Sequence, residues 1–327
     1  MTYRGLAVRA LGAALIGGLI AWALLAPGSA PARTEPTASS AKSLTKVTMT
    51  VGNTSGTAVL VLGKEKGIYK KEGLDLELTD KIPPAQAVSA LLSNRVQFSA
   101  FSWGAMTSVV ANGVPLKGVA NLTADSKKDD TGIYSVASGS VKKPADLRGK
   151  TIAVSVLNGL GEVTVRNIAG KAGVPQNTLH FVALNFPDMG PALRAGRIDA
   201  AYLQEPNQTV LNQQTKLHKL GSGLLFPGMP ITNVIAADSY IKSQPKVVAA
   251  FQRATRNAIR YARAHPDKVK KVMPKVTGFP ASITNKIVQP TFSDTMNVKQ
   301  LQRIPAALFR FGKTKKLVQI KQFVKQY

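Results

Sequence analysis

Two loops and two predicted strand ends carry the residue types that recognise a small charged molecule. Gly52-Asn53-Thr54-Ser55-Gly56 follows an alternating run, Val47 to Val51, that predicts a strand, and it precedes a predicted helix from Ala58 to Glu65. Asn158-Gly159-Leu160-Gly161 lies between a predicted strand, Thr151 to Val156, and a predicted helix, Glu162 to Ala172. At a helix start, free N–H groups and the positive end of the dipole attract an anion, and glycine lets the backbone approach it. Each loop also fits a plain strand-to-helix turn. The second is not a dinucleotide fingerprint, because Thr164 stands where the third glycine belongs. Trp103 offers a flat wall to an apolar or π-bearing ligand with Ser102 as a hydrogen-bonding partner, or else it is a core side chain. Glu205 accepts hydrogen bonds from an amine or hydroxyl, or it caps the helix that Pro206 begins.

The elements that must position these groups are written twice. ALLSNRVQFSAFSWG (Ala90 to Gly104) and ALRAGRIDAAYLQEP (Ala192 to Pro206) align without a gap at an offset of 102 residues, with Trp103 over Glu205. Each copy has an apolar helix end, a break at Asn94 or Gly196, and a short apolar run of the kind found in buried parallel strands. Ligands of open α/β sheets sit beyond the carboxyl ends of the strands. Two such units predict two similar lobes, with Trp103 and Glu205 facing each other across a cleft.

The rest of the chain fits that plan. Leu116 to Ala120 and Leu179 to Leu184 predict strands, Ile133 to Ala137 a strand leaving the first lobe, and Ile231 to Ala237 a returning strand. Val248, Phe251, Ala254 and Ala258 form the apolar stripe of a helix from Val247 to Ala264. Beyond it the pattern is helical, broken at Pro274, Pro280, Pro290 and Pro305.

At 327 residues the chain is long enough for about two domains. It has no cysteine, and its three histidines, His180, His218 and His265, show no ligand spacing, which argues against thiolate and metal chemistry. No nucleophile stands beside a base and no carboxylates pair, so the expectation is a binding protein without a cofactor, not an enzyme. The formal charge is +26, and Lys242 to Tyr327 holds 19 Lys or Arg against Asp267 and Asp294. Such a segment is a solvated basic face, or it meets an anionic ligand, an acidic membrane or nucleic acid. With 6% aromatics and no reading motif, specific nucleic-acid binding is not expected.

Arg4 and Arg9 precede an uncharged apolar run, Leu11 to Ala26, and Ala30-Pro31-Ala32 offers a cleavage site. Residues 1–32 thus read as a signal peptide and 33–45 as a linker, making the mature protein periplasmic or extracytoplasmic. The run is shorter than the about twenty residues of a full span. Uncleaved, it would anchor the protein to the membrane.

Taken in order, EKGIYKKEGLDLEL (Glu65 to Leu78), the first repeat, PADLRGKTIAV (Pro144 to Val154) and the second repeat resemble one family. It is the nitrate/sulfonate/taurine and thiamine-pyrimidine-precursor (NMT1/THI5-like) group of periplasmic solute-binding proteins that serve ABC importers. The resemblance covers roughly Val47 to Ala264. It implies a type II periplasmic-binding-protein fold: two α/β lobes, 46–132 with 237–327 and 133–236, joined by two crossover strands around a cleft. It also implies a monomer that delivers a small organic ligand, sulfonate- or taurine-like, to a membrane permease, with a thiamine-pyrimidine precursor or other small heterocycle as the alternative. The site it implies comprises Thr54, Ser55, Gly56, Ser102, Trp103, Asn158, Gly159, Gly161, Glu162 and Glu205. Asn94 and Gln97 depart from the family's usual Gly and Asp, and Asn158-Gly159-Leu160 departs from the Gly-Ser/Thr run of many sulfonate binders. A carboxylate at Glu205 argues against a bare anion such as nitrate.

Overall fold

The computed structural model describes residues 43–82, 84–126 and 131–327. The expected signal peptide, and the linker up to residue 42, lie outside the described residues. Among the described residues no helix is long and apolar enough to cross a membrane.

The first lobe opens with β1 (Thr45–Thr50), α1 (Ser55–Glu65), α2 (Ile68–Lys71), β2 (Leu74–Thr79), α3 (Pro84–Leu92), β3 (Phe98–Ser102), α4 (Trp103–Ala111) and β4 (Leu116–Ala124). The chain then crosses into β5 (Thr131–Val136), β6 (Thr151–Val154), α5 (Leu160–Lys171), β7 (His180–Ala183), α6 (Phe186–Arg194), β8 (Ala200–Gln204), α7 (Asn207–Gln214) and β9 (Leu217–Ser222). It returns through β10 (Pro230–Ala237) to α8 (Asp238–Ser243), α9 (Pro245–Ala264), α10 (Pro266–Thr277), α11 (Ala281–Thr284), β11 (Thr291–Phe292), α12 (Val298–Leu301) and α13 (Arg303–Arg310).

One sheet runs β11-β4-β10-β3-β1-β2 and the other β7-β6-β8-β5-β9. The two orders are the same plan: an edge strand, two parallel neighbours, then an antiparallel strand that arrives from the opposite lobe. β10 lies antiparallel to β3, as β5 does to β8. The strand 230–237 therefore belongs to the first sheet. That moves the expected lobe boundary at 236 back to the crossover before Pro230. The crossovers are tied together, since Asp125 N–H donates to the Met229 carbonyl (2.9 Å) and the Asp125 carboxylate accepts from Gly228 N–H (2.9 Å).

The repeat holds to the residue. α3 and α6, and likewise β3 and β8, begin and end at the same offset of 102. Both helices stop at a left-handed residue, Asn94 (φ 56°) and Gly196 (φ 66°). The Gln97 side-chain carbonyl accepts the backbone N–H of Thr48 (2.8 Å), as the Asp199 carboxylate accepts that of Thr151 (2.9 Å). Gln97 thus does in the first repeat what Asp199 does in the second.

Each sheet is covered on both faces. Phe98 stacks on Phe251 of α9 at 3.8 Å between centroids, and the expected α9 stripe is buried against the first sheet. Pro274 and Pro305 lie inside α10 and α13 rather than breaking them. Pro305 falls in the first turn, where its missing N–H has no partner to lose.

Candidate functional site

α1 begins at Ser55, with Thr54 extended at the cap position. Thr54 makes no side-chain cap, and no acid stands in the first turn. Thr57 Oγ1 instead folds back to donate to the Gly52 carbonyl (2.5 Å). The helix start is left as a cluster of N–H groups and hydroxyls with a positive dipole end.

This start opens onto a small cavity, about 40 Å³, at the junction of the lobes. Thr54, Ser55 and Gly56 form one wall, and Gln204 and Glu205, at the end of β8, form another. Thr123, Thr131, Ile231 and Thr232, from the strands that meet at the crossovers, line the floor together with Pro290. The structure thus brings together Thr54, Ser55, Gly56 and Glu205. Thr123, Thr131, Thr232 and Gln204 are additions to the expected site; for Thr123 the reason is that β4 runs four residues beyond the predicted strand end at Ala120.

Glu205 is held by neutral donors. Oε1 accepts from Thr209 Oγ1 (2.8 Å), Gln208 Nε2 (2.9 Å) and, from the first lobe, Val288 N–H (3.2 Å). Oε2 accepts the Thr209 N–H in the first turn of α7 (3.3 Å). Burial raises its carboxyl above the ordinary value, against the pull of these hydrogen bonds. Glu205 therefore caps α7 and lines the cavity at once.

Trp103 and Ser102 serve the first lobe's interior. The indole is 1% exposed, and its N–H donates to Asn121 Oδ1 (2.8 Å) on β4. It fills the space that Gly118 leaves, where a Cβ would sit 2.8 Å from the ring. Ser102 Oγ accepts the Ala105 N–H (3.0 Å) as the cap of α4. Trp103 and Glu205 occupy equivalent register positions, but the cavity that Glu205 lines does not include Trp103. An indole with a partner on its own lobe gains more from the core than from a solvated cleft.

The second loop is already occupied. Glu162, 2% exposed, accepts from Asn158 N–H (2.8 Å) and Arg166 Nε (2.8 Å), and pairs with Lys313 Nζ at 2.6 Å. Lys313 also donates to Asn158 Oδ1 (3.0 Å). Burial alone would raise the Glu162 carboxyl, but Lys313, Asn158 and Arg166 hold it below the ordinary value. The protein's own carboxylate thus fills the anion position expected at Asn158, Gly159, Gly161 and Glu162. Gly161 has a packing role, since a Cβ there would lie 2.9 Å from the Tyr202 ring. Lys313 comes from the C-terminal segment, and nothing in the sequence marks it among its basic neighbours.

A family model described as NMT1/THI5 like matches residues 54–269. A protein of Haemophilus influenzae with a provisional thiamine-biosynthesis description is 23% identical over 243 residues, covering 73% of this chain and 74% of its own. Among solved structures, the alkanesulfonate-binding protein SsuA of Xanthomonas axonopodis pv. citri, bound to MOPS, superposes with a TM-score of 0.73. Its identity is 16%, over 87% of this chain and 99% of that one. The periplasmic nitrate-binding protein NrtA of Synechocystis PCC 6803 gives 0.70 at 14% identity, over 86% of each chain. At such identities the likeness is one of fold, and the fold is that of the periplasmic binding proteins.

Proposed function

The chain belongs to the NMT1/THI5-like family, and from that premise we propose that it is an extracytoplasmic receptor for a small organic ligand, sulfonate- or taurine-like, which it hands to an ABC importer's permease. The observation that carries this reading is one cavity joining two complementary groups: the uncapped, acid-free start of α1 and the carboxylate of Glu205. Sulfonate oxygens suit the N–H groups and hydroxyls of Thr54, Ser55 and Gly56. Among the described residues the partners of Glu205 are all neutral, so the cation that a buried carboxylate calls for would come with the ligand. A molecule with a sulfonate at one end and an ammonium at the other meets both conditions.

The cavity is far below the roughly 300 Å³ at which ligand pockets begin, so the lobes must part to admit a ligand and close on it. A thiamine-pyrimidine precursor remains the second reading. Gln204 and Glu205 offer an amide and a carboxylate to an aminopyrimidine edge, but among the described residues no aromatic ring lines the cavity to stack on it. Native mass spectrometry of the purified protein, followed by calorimetry with taurine, ethanesulfonate and an aminopyrimidine, tests the choice. One taurine bound per chain without turnover is expected. Preference for the pyrimidine, or chemical conversion of the ligand, would overturn the proposal.

A further inference from the structure

The outer face of the first lobe carries charge that the cleft does not use. α1 and α2 are laced to α9 and α10 through side chains: Lys275 meets Glu65 at 2.9 Å, Arg253 meets Glu72 at 2.9 Å, and Lys66 lies 5.9 Å over the Tyr261 ring. The four helices and the turn after α2 contribute three acids, Glu65, Glu72 and Asp267, and each sits in an ion pair. Lys64, Lys70, Lys71, Arg260, Lys270 and Lys271 are exposed and have no ion-pair partner among the described residues. We propose that this face docks on an anionic bilayer surface.

The form of the face selects that occupant. A specific protein interface needs a desolvated apolar or aromatic centre. None of the exposed large apolar side chains among the described residues belongs to α1, α2, α9 or α10. What remains is a spread of long, flexible cations over several helices, which suits a delocalised sheet of headgroup charge. Each such cation near an anionic leaflet contributes about 1 kcal/mol, or roughly a fivefold gain in partition. The placement leaves the cleft free: α1 starts at the cavity with Ser55 and reaches the basic face at Lys64, ~14 Å along its axis. The inference does not depend on which ligand the cleft takes.

The test is co-sedimentation of the full chain with vesicles of phosphatidylcholine alone and with about 30% phosphatidylglycerol, at low and high salt. Binding to the anionic vesicles only, falling more than about tenfold at high salt, is expected. Reversal of Lys70, Lys71, Arg260 and Lys271 to Glu should weaken it by about two orders of magnitude or more. Reversal of Arg148, Lys171, Arg197 and Lys216, exposed on the second lobe, should have a much smaller effect. All variants keep the apolar run Leu11 to Ala26, so binding through that run would show with neutral vesicles and survive both reversals. Thermal melts confirm folding, and Gln replaces Glu at the four positions if the reversed protein does not fold. The proposal is overturned by absence of binding, by equal binding to neutral vesicles, by equal loss in both reversal variants, or by tighter binding to duplex DNA than to anionic vesicles.

Discussion

The carboxylate of Glu205, at the end of a second-lobe strand, accepts the backbone N–H of Val288 in the first lobe at 3.2 Å. The same oxygen takes the Thr209 hydroxyl at the start of α7. One side chain thus fastens its own helix and the opposite lobe. An incoming ammonium would meet a carboxylate already aimed into the cleft.

Glu205→Gln separates those roles. Because burial raises the folded-state carboxyl above its unfolded value, the native state binds more protons between the two, and stability falls as pH rises through that window. The variant should lack that decline, so its melting temperature gains on wild type between acidic and neutral pH. In binding, taurine affinity should fall at least about tenfold while ethanesulfonate changes little, the loss of a charged hydrogen bond being about 1.5–3 kcal/mol. Calorimetry with both ligands checks it.

Lys313 and Glu162 form a buried pair between α5 and the C-terminal segment, their side chains 13% and 3% exposed. Lys313→Ala leaves Glu162 buried with Arg166 as its remaining cation. A loss of about 1–3 kcal/mol is expected, below the full cost of an orphaned charge because Arg166 stays. The depressed Glu162 carboxyl contributes stability above its unfolded value that is lost as pH falls through the folded one. Denaturation between pH 7 and pH 3 should therefore show a shallower acid-side decline in the variant. An unchanged profile would mean that the pair contributes nothing.

Trp103→Phe should fold and bind as wild type does, at a cost of about 1–3 kcal/mol for the unsatisfied Asn121 oxygen. Trp103 is the only tryptophan among the described residues, and its 1% exposure predicts emission shielded from iodide with or without ligand. Ligand-dependent quenching would place the ring in the cleft after all.

Much of this was legible locally. The helix, left-handed stop and strand of each repeat are written in consecutive residues, so the 102-residue register held through α3–β3 and α6–β8. The same register misled about Trp103, because sequence places its backbone while Asn121 and Gly118, on another strand, decide where the ring goes. The end of β4 was hidden because Asn121 and Thr123 look like loop residues; both lie buried, where Asn121 bonds Trp103 and Ser293 and β4 pairs with β10. The anion position expected at α5 is filled by the carboxylate of Glu162, held there by a lysine 151 positions away, a partner that no local pattern announces.

An anionic group that binds the open start of α1 would be repelled by a carboxylate placed there, as in Thr54→Asp. Aspartate is a favoured cap, so the variant should be as stable as wild type or gain about 0.5–1 kcal/mol. It also sets a negative charge against the ligand's own. Calorimetry of the two proteins with taurine and with ethanesulfonate should show one site in wild type and at least about tenfold weaker binding of both ligands in the variant. Equal affinity in a folded Thr54→Asp protein would contradict an anion site at α1.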